Sequence, residues 1–384
     1  MACKQNLNRV LVATLLSLPL AACNKLISPA PAAASPSLAP QTPLKKGEST
    51  EPVLPAEGEL GGPRLGATAA QKQAWLAGRA EFFKEYTAKT GLGPHFNEVS
   101  CVQCHSLPTP GGGAGIDRAA RITLDAENRV QPFERKTLPG LAPLVARPGA
   151  PVSLRRPPPL YGVGMLESVA DAVIVAGCDP DDRDHDGVHG KVNRAFDGRP
   201  GRLGWKAHTT TLDDFTSDAF AGEMGMTNAV HRDPAMRADK DEAPDPEVAA
   251  TLVTLVAEHV RQLAPPPRAG DHPPGAALFA DLGCVACHRP QTAPDVPAFT
   301  DLCLHDLGPA FADGIPDNDA GSSEWRTAPL WGLRLRKSYF HDARTDNLDA
   351  AVRMHGGEAT GAATRYGALD DAKRADLLKF LGTL

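Results

Sequence analysis

Two segments, Cys101-Val102-Gln103-Cys104-His105 and Cys284-Val285-Ala286-Cys287-His288, decide how this chain is read. Two thiols three positions apart on one helical turn can form thioethers to the two vinyl groups of a porphyrin. The His that follows then lies under the iron as its proximal ligand. In 384 residues with 8 Cys and 12 His, one such run would arise by chance about 0.005 times. Two copies therefore predict two covalent haem c groups, attached at Cys101, Cys104, Cys284 and Cys287, with His105 and His288 on the irons. A zinc knuckle or a redox dithiol shares the Cys spacing, but neither gives a reason for His to follow the second Cys twice.

Working outward, the beginning reads as an export signal: Lys4 and Arg9 precede an apolar run over residues 10–20, followed by Leu20-Ala21-Ala22-Cys23. That tetrapeptide resembles a bacterial lipoprotein lipobox. It implies cleavage of residues 1–22, lipidation of Cys23 and attachment to a membrane through the lipid, since the apolar run is too short to span a bilayer. Asn24, where Asp would retain a lipoprotein at the inner membrane, resembles sorting to the outer membrane, facing the periplasm. An ordinary cleaved signal peptide with an incidental Cys23 is the alternative. Residues 23–63, dominated by Pro, Ala and Ser from residue 28, read as a tether. A net charge of −6 argues against a nucleic-acid partner.

Helical periodicity is clearest over residues 71–86, where Trp75, Phe82 and Tyr86 can share a face, and over 246–263, where Val248, Leu252, Val256 and Leu263 do. Shorter helices are expected over 167–176, 275–282, 348–355 and 370–381, and alternating runs are scarce. Pro265-Pro266-Pro267-Arg268-Ala269-Gly270-Asp271-His272-Pro273-Pro274 cannot continue a helix and reads as a linker. The expected fold is mostly α with two cytochrome c-like haem domains, 64–265 and 266–384, the first enlarged by long insertions and loops. His259 reads as a core or surface histidine. With Cys3 in the signal and Cys23 lipidated, Cys178 and Cys303 remain, either bridged or as two buried thiols.

Several segments carry a family resemblance: Arg156-Pro157-Pro158-Pro159-Leu160-Tyr161-Gly162-Val163-Gly164, Leu203-Gly204-Trp205-Lys206-Ala207, Glu223-Met224-Gly225-Met226-Thr227, Glu324-Trp325-Arg326-Thr327, Tyr339-Phe340-His341 and Arg353-Met354-His355-Gly356-Gly357. Together they resemble the bacterial diheme cytochrome c peroxidases and, more closely, the diheme oxidoreductases sometimes labelled thiol oxidoreductases. The resemblance implies that the second haem iron takes a distal ligand at the position 14 residues after His341, which is His355 here. The peroxidases have Met there and the methylamine-utilisation diheme enzyme has Tyr, so His355 is a departure that lowers the expected potential. Met354 is the neighbouring alternative.

The resemblance further implies Glu223 as the carboxylate that handles protons over the reactive haem and Trp205 as an electron relay between the haems. His341 matches a family histidine near a haem edge. The peroxidases carry a displaceable His shortly after the first motif, where this chain has Arg121. The first iron is then either open or ligated from a distant loop by His185, His189, His208 or Met165. Asp182, Asp184 and Asp186, followed by Gly187, have the spacing of a calcium loop, although Asn193 stands where an EF-hand has its bidentate Glu. A calcium ion between the haem regions is also implied by the family.

These expectations converge on a diheme oxidoreductase of peroxidase type, drawing electrons from a small periplasmic redox protein at the second haem and reducing hydrogen peroxide or a related oxidant at the first. The rivals are a non-enzymatic, membrane-tethered electron-transfer cytochrome and a thiol oxidase acting through Cys178 and Cys303.

Overall fold

The computed structural model describes residues 54–126, 130–133, 136–233, 237, 239, 241 and 243–384; the expected signal, Cys23 and residues 23–53 of the tether lie outside them. Its helices are α1 (Ala69–Phe83), α2 (Cys101–Cys104), α3 (Val163–Glu167), α4 (Asp171–Gly177), α5 (Leu212–Met224), α6 (Ala250–Gln262), α7 (Pro273–Asp281), α8 (Leu348–Arg353), α9 (Thr360–Gly367) and α10 (Asp371–Leu381). The strands are β1 (His95–Phe96), β2 (Ala120–Leu124), β3 (Val130–Pro132), β4 (Lys136–Thr137), β5 (Val152–Arg155), β6 (Leu304–Asp306) and β7 (Glu324–Arg326).

The helix before each Cys-x-x-Cys-His run packs against the last helix of its half, and a glycine sets each crossing. α1 begins at a capping box, with the Thr68 hydroxyl accepting from the Gln71 amide at 3.2 Å and the Gln71 side chain accepting from the Thr68 amide at 2.8 Å. It packs along α6 at Gly78, where any Cβ would collide with the Leu255 carbonyl and His259. α7 packs on α10 in the same manner at Gly275, whose missing side chain leaves room for the Asp376 carbonyl and Phe380.

The first crossing and α5 enclose a core that includes Phe82, Tyr86, Phe220, Met224, Val256 and Leu263. The second encloses Phe279, Phe299, Tyr366, Leu377 and Phe380. Truncating a side chain such as Phe82, 1 % exposed, to Ala would cost about 3–5 kcal/mol. His259 is a core residue, its Nδ1 3.1 Å from the Trp75 carbonyl and its ring 4.9 Å from that of Phe82.

Helix boundaries differ from the sequence expectation for local reasons. The first helix stops at Phe83 because Lys84 turns extended, freeing the Tyr86 amide to donate to Val99 O at 2.8 Å. α6 starts only at Ala250, since Val248 is taken by a bridge to Asn228. The region expected as one helix over 167–176 is two, α3 and α4, because buried Arg202 holds the Glu167 and Val169 carbonyls that a continuous helix would use internally. α7 begins inside the expected linker, at Pro273, since proline suits the first turn of a helix.

Strands are more numerous than the alternation suggested: among the described residues, β3-β2-β5, β1-β4 and β6-β7 form three small antiparallel sheets. Helix still dominates. The β6–β7 register places His305 opposite Trp325 and Leu304 opposite Arg326.

Two covalent or ionic ties join distant segments. Cys178 and Cys303 form a disulfide with a Cα–Cα distance of 5.7 Å, which closes the question the sequence left open. It sits among Leu166, Ile174, Leu302 and Trp331. Buried Arg155 bridges Asp313 at 3.0 Å and Asp317 at 3.2 Å.

Candidate functional site

Each Cys-x-x-Cys-His run is wound as one turn, which puts both sulfurs and the His on neighbouring faces. In the first, α2 carries Cys101 and Cys104, and the His105 amide donates to Cys101 O at 3.0 Å. In the second, Gly283 supplies a left-handed φ of 82° that starts a 3-10 turn over Cys284–Ala286, and the His288 amide donates to Cys284 O at 2.9 Å. None of these four cysteines forms a disulfide. Burial pushes the Cys101 thiol up to about 12 and the Cys284 thiol up to about 11, a surrounding suited to sulfurs that end as neutral thioethers.

The histidines fit metal ligation by their second nitrogen. His105 Nδ1 lies 3.1 Å from Gly112 O, His288 Nδ1 lies 3.0 Å from Phe299 O, and His355 Nδ1 lies 2.8 Å from Ala351 O. A carbonyl can only accept, so each Nδ1 carries the proton and each Nε2 presents a lone pair. Burial lowers all three, to about 4 for His105 and His288, so the rings are neutral at physiological pH and able to bind a metal.

A cavity of about 320 Å³ opens over the second run and is lined by Cys284, Cys287, His288 and, from the opposite side of the sequence gap, His355 just beyond α8. Met354, the alternative ligand, is 38 % exposed and does not line it. The cavity offers a porphyrin what its attachment chemistry requires: two sulfurs, two imidazole nitrogens and apolar walls from Phe279, Leu333 and Leu377.

Trp205 lines this cavity and also an adjacent one of about 120 Å³ that reaches Leu107, Gly113 and Pro158 beside the first run. Its indole Nε1 donates to Arg156 O at 3.0 Å, and its ring meets His341 edge-on with centroids 6.4 Å apart. His341 is in turn stacked on Trp325 at 3.7 Å, and burial pushes its pKa down to about 4. Trp205 thus lines both cavities.

Glu223 occupies the last turn of α5, before Gly225 closes the helix in the left-handed region. The Asn97 amide group donates to its Oε2 at 2.5 Å and the Asn97 backbone amide donates to its carbonyl at 2.7 Å. This fastens Glu223 to the segment that runs directly into Cys101, and burial raises the pKa of its carboxyl, favouring the protonated form.

Of the four distant candidates for the first iron, Met165 and His208 have their side chains engaged elsewhere. His185 and His189 are exposed in the acidic loop, with the His189 amide donating to Glu358 at 2.8 Å on the second-run side. Met165 packs in the apolar cluster around the disulfide. His208 lies 3.7 Å from Asp317 and 3.8 Å from Asp218. Arg121 lies on β2 with its guanidinium 5.6 Å from the Phe133 ring.

Asp182, Asp184 and Asp186 bring one carboxylate oxygen each within 4.8 Å of the others, and Asp186 also lines the larger cavity. Asn193 does not join them: it is buried, donating to Lys206 O at 2.6 Å and Asp317 O at 3.0 Å, so the EF-hand arrangement is absent. A second group, Asp239, Asp241 and Glu247, has the same mutual spacing and was not singled out by the sequence.

His305 was also missed. Its Nε2 lies 2.9 Å from Asp301 and its Nδ1 2.8 Å from Glu358, beside Cys287. Burial alone would lower its pKa, but the carboxylates of Asp301 and Glu358, one on each ring nitrogen, hold it above the ordinary histidine value and favour the imidazolium. Its partners lie 4 residues before and 53 residues after it, so nothing local in the sequence marked it.

A protein-family model described as "Di-haem oxidoreductase, putative peroxidase" matches residues 147–384. No curated protein matches the sequence. Among solved structures, the diheme peroxidase BthA from Burkholderia thailandensis E264 is 18 % identical, covering 81 % of this chain and 86 % of that one with a TM-score of 0.46. A MauG-like protein associated with microbial copper homeostasis is 15 % identical, covering 86 % and 94 % with a TM-score of 0.42. These structural likenesses are distant, and the family assignment rests on the sequence match.

Proposed function

Because the chain belongs to the di-haem oxidoreductase family, we propose that it is a peroxidase-type enzyme in which electrons enter beside His288 and His355 and are used beside His105. The reaction is hydrogen peroxide plus two electrons and two protons giving two water molecules. The observation that carries this reading is that His288 and His355, far apart in sequence, line one cavity, each with its Nδ1 engaged by a backbone carbonyl and its Nε2 left to bind a metal. Haem c, when bound at both runs, supplies one-electron chemistry at iron and, where a coordination position is open, peroxide reduction.

The chain's own residues do the rest. His288 and His355 would both bind the second haem, leaving an oxidant no place there and suiting that site to electron transfer. Trp205, held by Arg156 O and braced by His341, gives electrons a short aromatic path between the two cavities it lines. Glu223 is fixed by Asn97 and its pKa is raised by burial, which makes its carboxylate a stronger base: it takes a proton from one peroxide oxygen and, once protonated, returns it to the other. The disulfide is buried, Cys178 at 3 % and Cys303 at 0 % exposure, and presents no sulfur to a thiol substrate, which disfavours thiol oxidation.

The two haem regions form cytochrome c-like domains over 64–265 and 266–384, and a small redox protein of the periplasm is the donor. Lipid at Cys23 holds the enzyme to the outer membrane, and calcium binds Asp182, Asp184 and Asp186. Stopped-flow peroxide consumption by the reduced holo-protein tests the core of this reading. Glu223→Gln should slow turnover about 10²–10⁴-fold with the haem spectrum unchanged. Equal rates in the two proteins would remove Glu223 from the mechanism, and no turnover in the wild type would remove the peroxidase.

A further inference from the structure

Several buried cations among the described residues are matched by anions. Arg155 pairs with Asp313 and Asp317, Arg202 with Asp171, and Lys206 with Asp313 and three carbonyls at 2.6–3.2 Å. Arg156, Arg326 and Arg336 are not: among the described residues no carboxylate is in ion-pair range of any of them. Arg156 Nε donates to Phe340 O at 2.8 Å, Arg326 donates to Gly204 O at 2.9 Å and Thr327 O at 3.0 Å, and Arg336 Nη2 donates to Pro329 O. Nη2 of Arg156 and Nε of Arg336 are buried without any partner.

The acids whose fields reach them are already taken. Asp342 is clasped by Arg344, with Nε at 3.0 and 2.9 Å, and Asp301 is held by His305 at 2.9 Å. Burial, aided by repulsion from Arg336, lowers Arg156 to about 9 and Arg326 to about 10, and burial lowers Arg336 to about 10. A fold that keeps three such guanidiniums together lacks a compensating anion.

Their placement says where that anion goes. Arg326 and Arg336, with Trp205, line both cavities, and Arg156 lines the one beside the first run. The groups expected in these sites each carry two carboxylates on the porphyrin edge opposite the vinyl groups that bind cysteine. Guanidinium forks match a carboxylate in geometry as well as charge. We infer that Arg156, Arg326 and Arg336 form an anion cradle that receives haem propionates at the wall between the two sites, Arg326 and Arg336 serving the second haem and Arg156 the first. The inference rests on the haem reading above and is independent of whether peroxide is the substrate.

Spectroelectrochemical titration of the holo-protein tests it, after haem content has been fixed at two per chain by pyridine haemochrome. Withdrawing a positive charge from beside a propionate favours the ferric state. In R336Q and R326Q the reduced-to-oxidised ratio of the second haem at fixed potential should fall by at least about tenfold, which is about 59 mV for a one-electron couple. R156Q should shift the first haem and leave the second in place. R336K, which keeps the charge without the fork, should shift less. The propionate bending band in resonance Raman should move in the same variants, a change that loss of packing alone would not produce. If R336Q does not fold, R336K and R156Q carry the same decision.

Potentials and bands that stay unmoved in variants retaining both haems would overturn the inference. So would wild-type spectra displaced by inorganic phosphate and made insensitive to it by R336K, because the cradle would then hold a free oxyanion. Wild-type protein without haem would instead overturn the reading underneath, before any potential is measured.

Discussion

Replacing Cys178 and Cys303 together by Ala should destabilise the folded protein by about 5–6 kcal/mol. The bridge closes a sequence separation of 125 residues, and confining an unfolded chain to a loop of that size removes entropy equivalent to about 5 kcal/mol at 25 °C. Removing two sulfurs from the cluster of Leu166, Ile174, Leu302 and Trp331 adds about 1 kcal/mol for the voids they leave. The assay is guanidinium unfolding of wild type and double variant at equal haem content, followed by tryptophan fluorescence. The variant should also unfold with a steeper slope, since its denatured chain is free to expand and expose more surface. A loss under about 1 kcal/mol with an unchanged slope would refute the argument, showing that the denatured chain gains nothing from release of this loop.

Three further outcomes follow from named contacts. His355→Met should raise the potential of the second haem by on the order of a tenth of a volt or more, and should add a near-infrared band of His/Met coordination, because thioether sulfur favours ferrous iron over imidazole. Gly275→Ala should lower stability by about 1–3 kcal/mol in thermal unfolding, as the added methyl meets the Asp376 carbonyl and Phe380 where α7 crosses α10. Asp171 is held at a pKa of about 2, from an ordinary 3.8, by Arg199 first and Arg202 second. A depressed carboxylate stabilises above its unfolded pKa and loses that contribution as pH falls through the folded one. The stability gap between wild type and Asp171→Asn should therefore shrink between about pH 4 and pH 2 in acid-unfolding titrations.

The two Cys-x-x-Cys-His runs were legible because their pattern is local: five consecutive residues carry both sulfurs and the imidazole. The long helices were legible because their apolar spacing extends over several turns, but their ends were not. Those ends are set by partners outside the helix, such as Asn228 bridging Val248 and Arg202 capturing the carbonyls between α3 and α4. The short strands escaped notice because a stretch such as Ala120–Leu124 is too brief to show alternation, and its partner β5 lies about thirty residues on.

Within the site, His355 could be named only through family resemblance, and its shared cavity with His288 is a tertiary fact. Arg156 and Arg326 stand in segments that carry the family resemblance, but nothing in the sequence marked the three arginines as a cradle. Arg156, Arg326 and Arg336 come from separate segments, and an unpaired cation becomes visible only when every neighbour that could neutralise it has been accounted for. His305 is similar, its character created by Asp301 and Glu358 folding onto it.

Electron paramagnetic resonance of the fully oxidised and half-reduced protein tests the central claim most directly. One low-spin signal of bis-imidazole type, assignable to His288 and His355, should accompany a high-spin signal from the iron on His105, present at the start or created by half-reduction. Two low-spin centres that persist in both states would leave peroxide no place to bind and contradict the account.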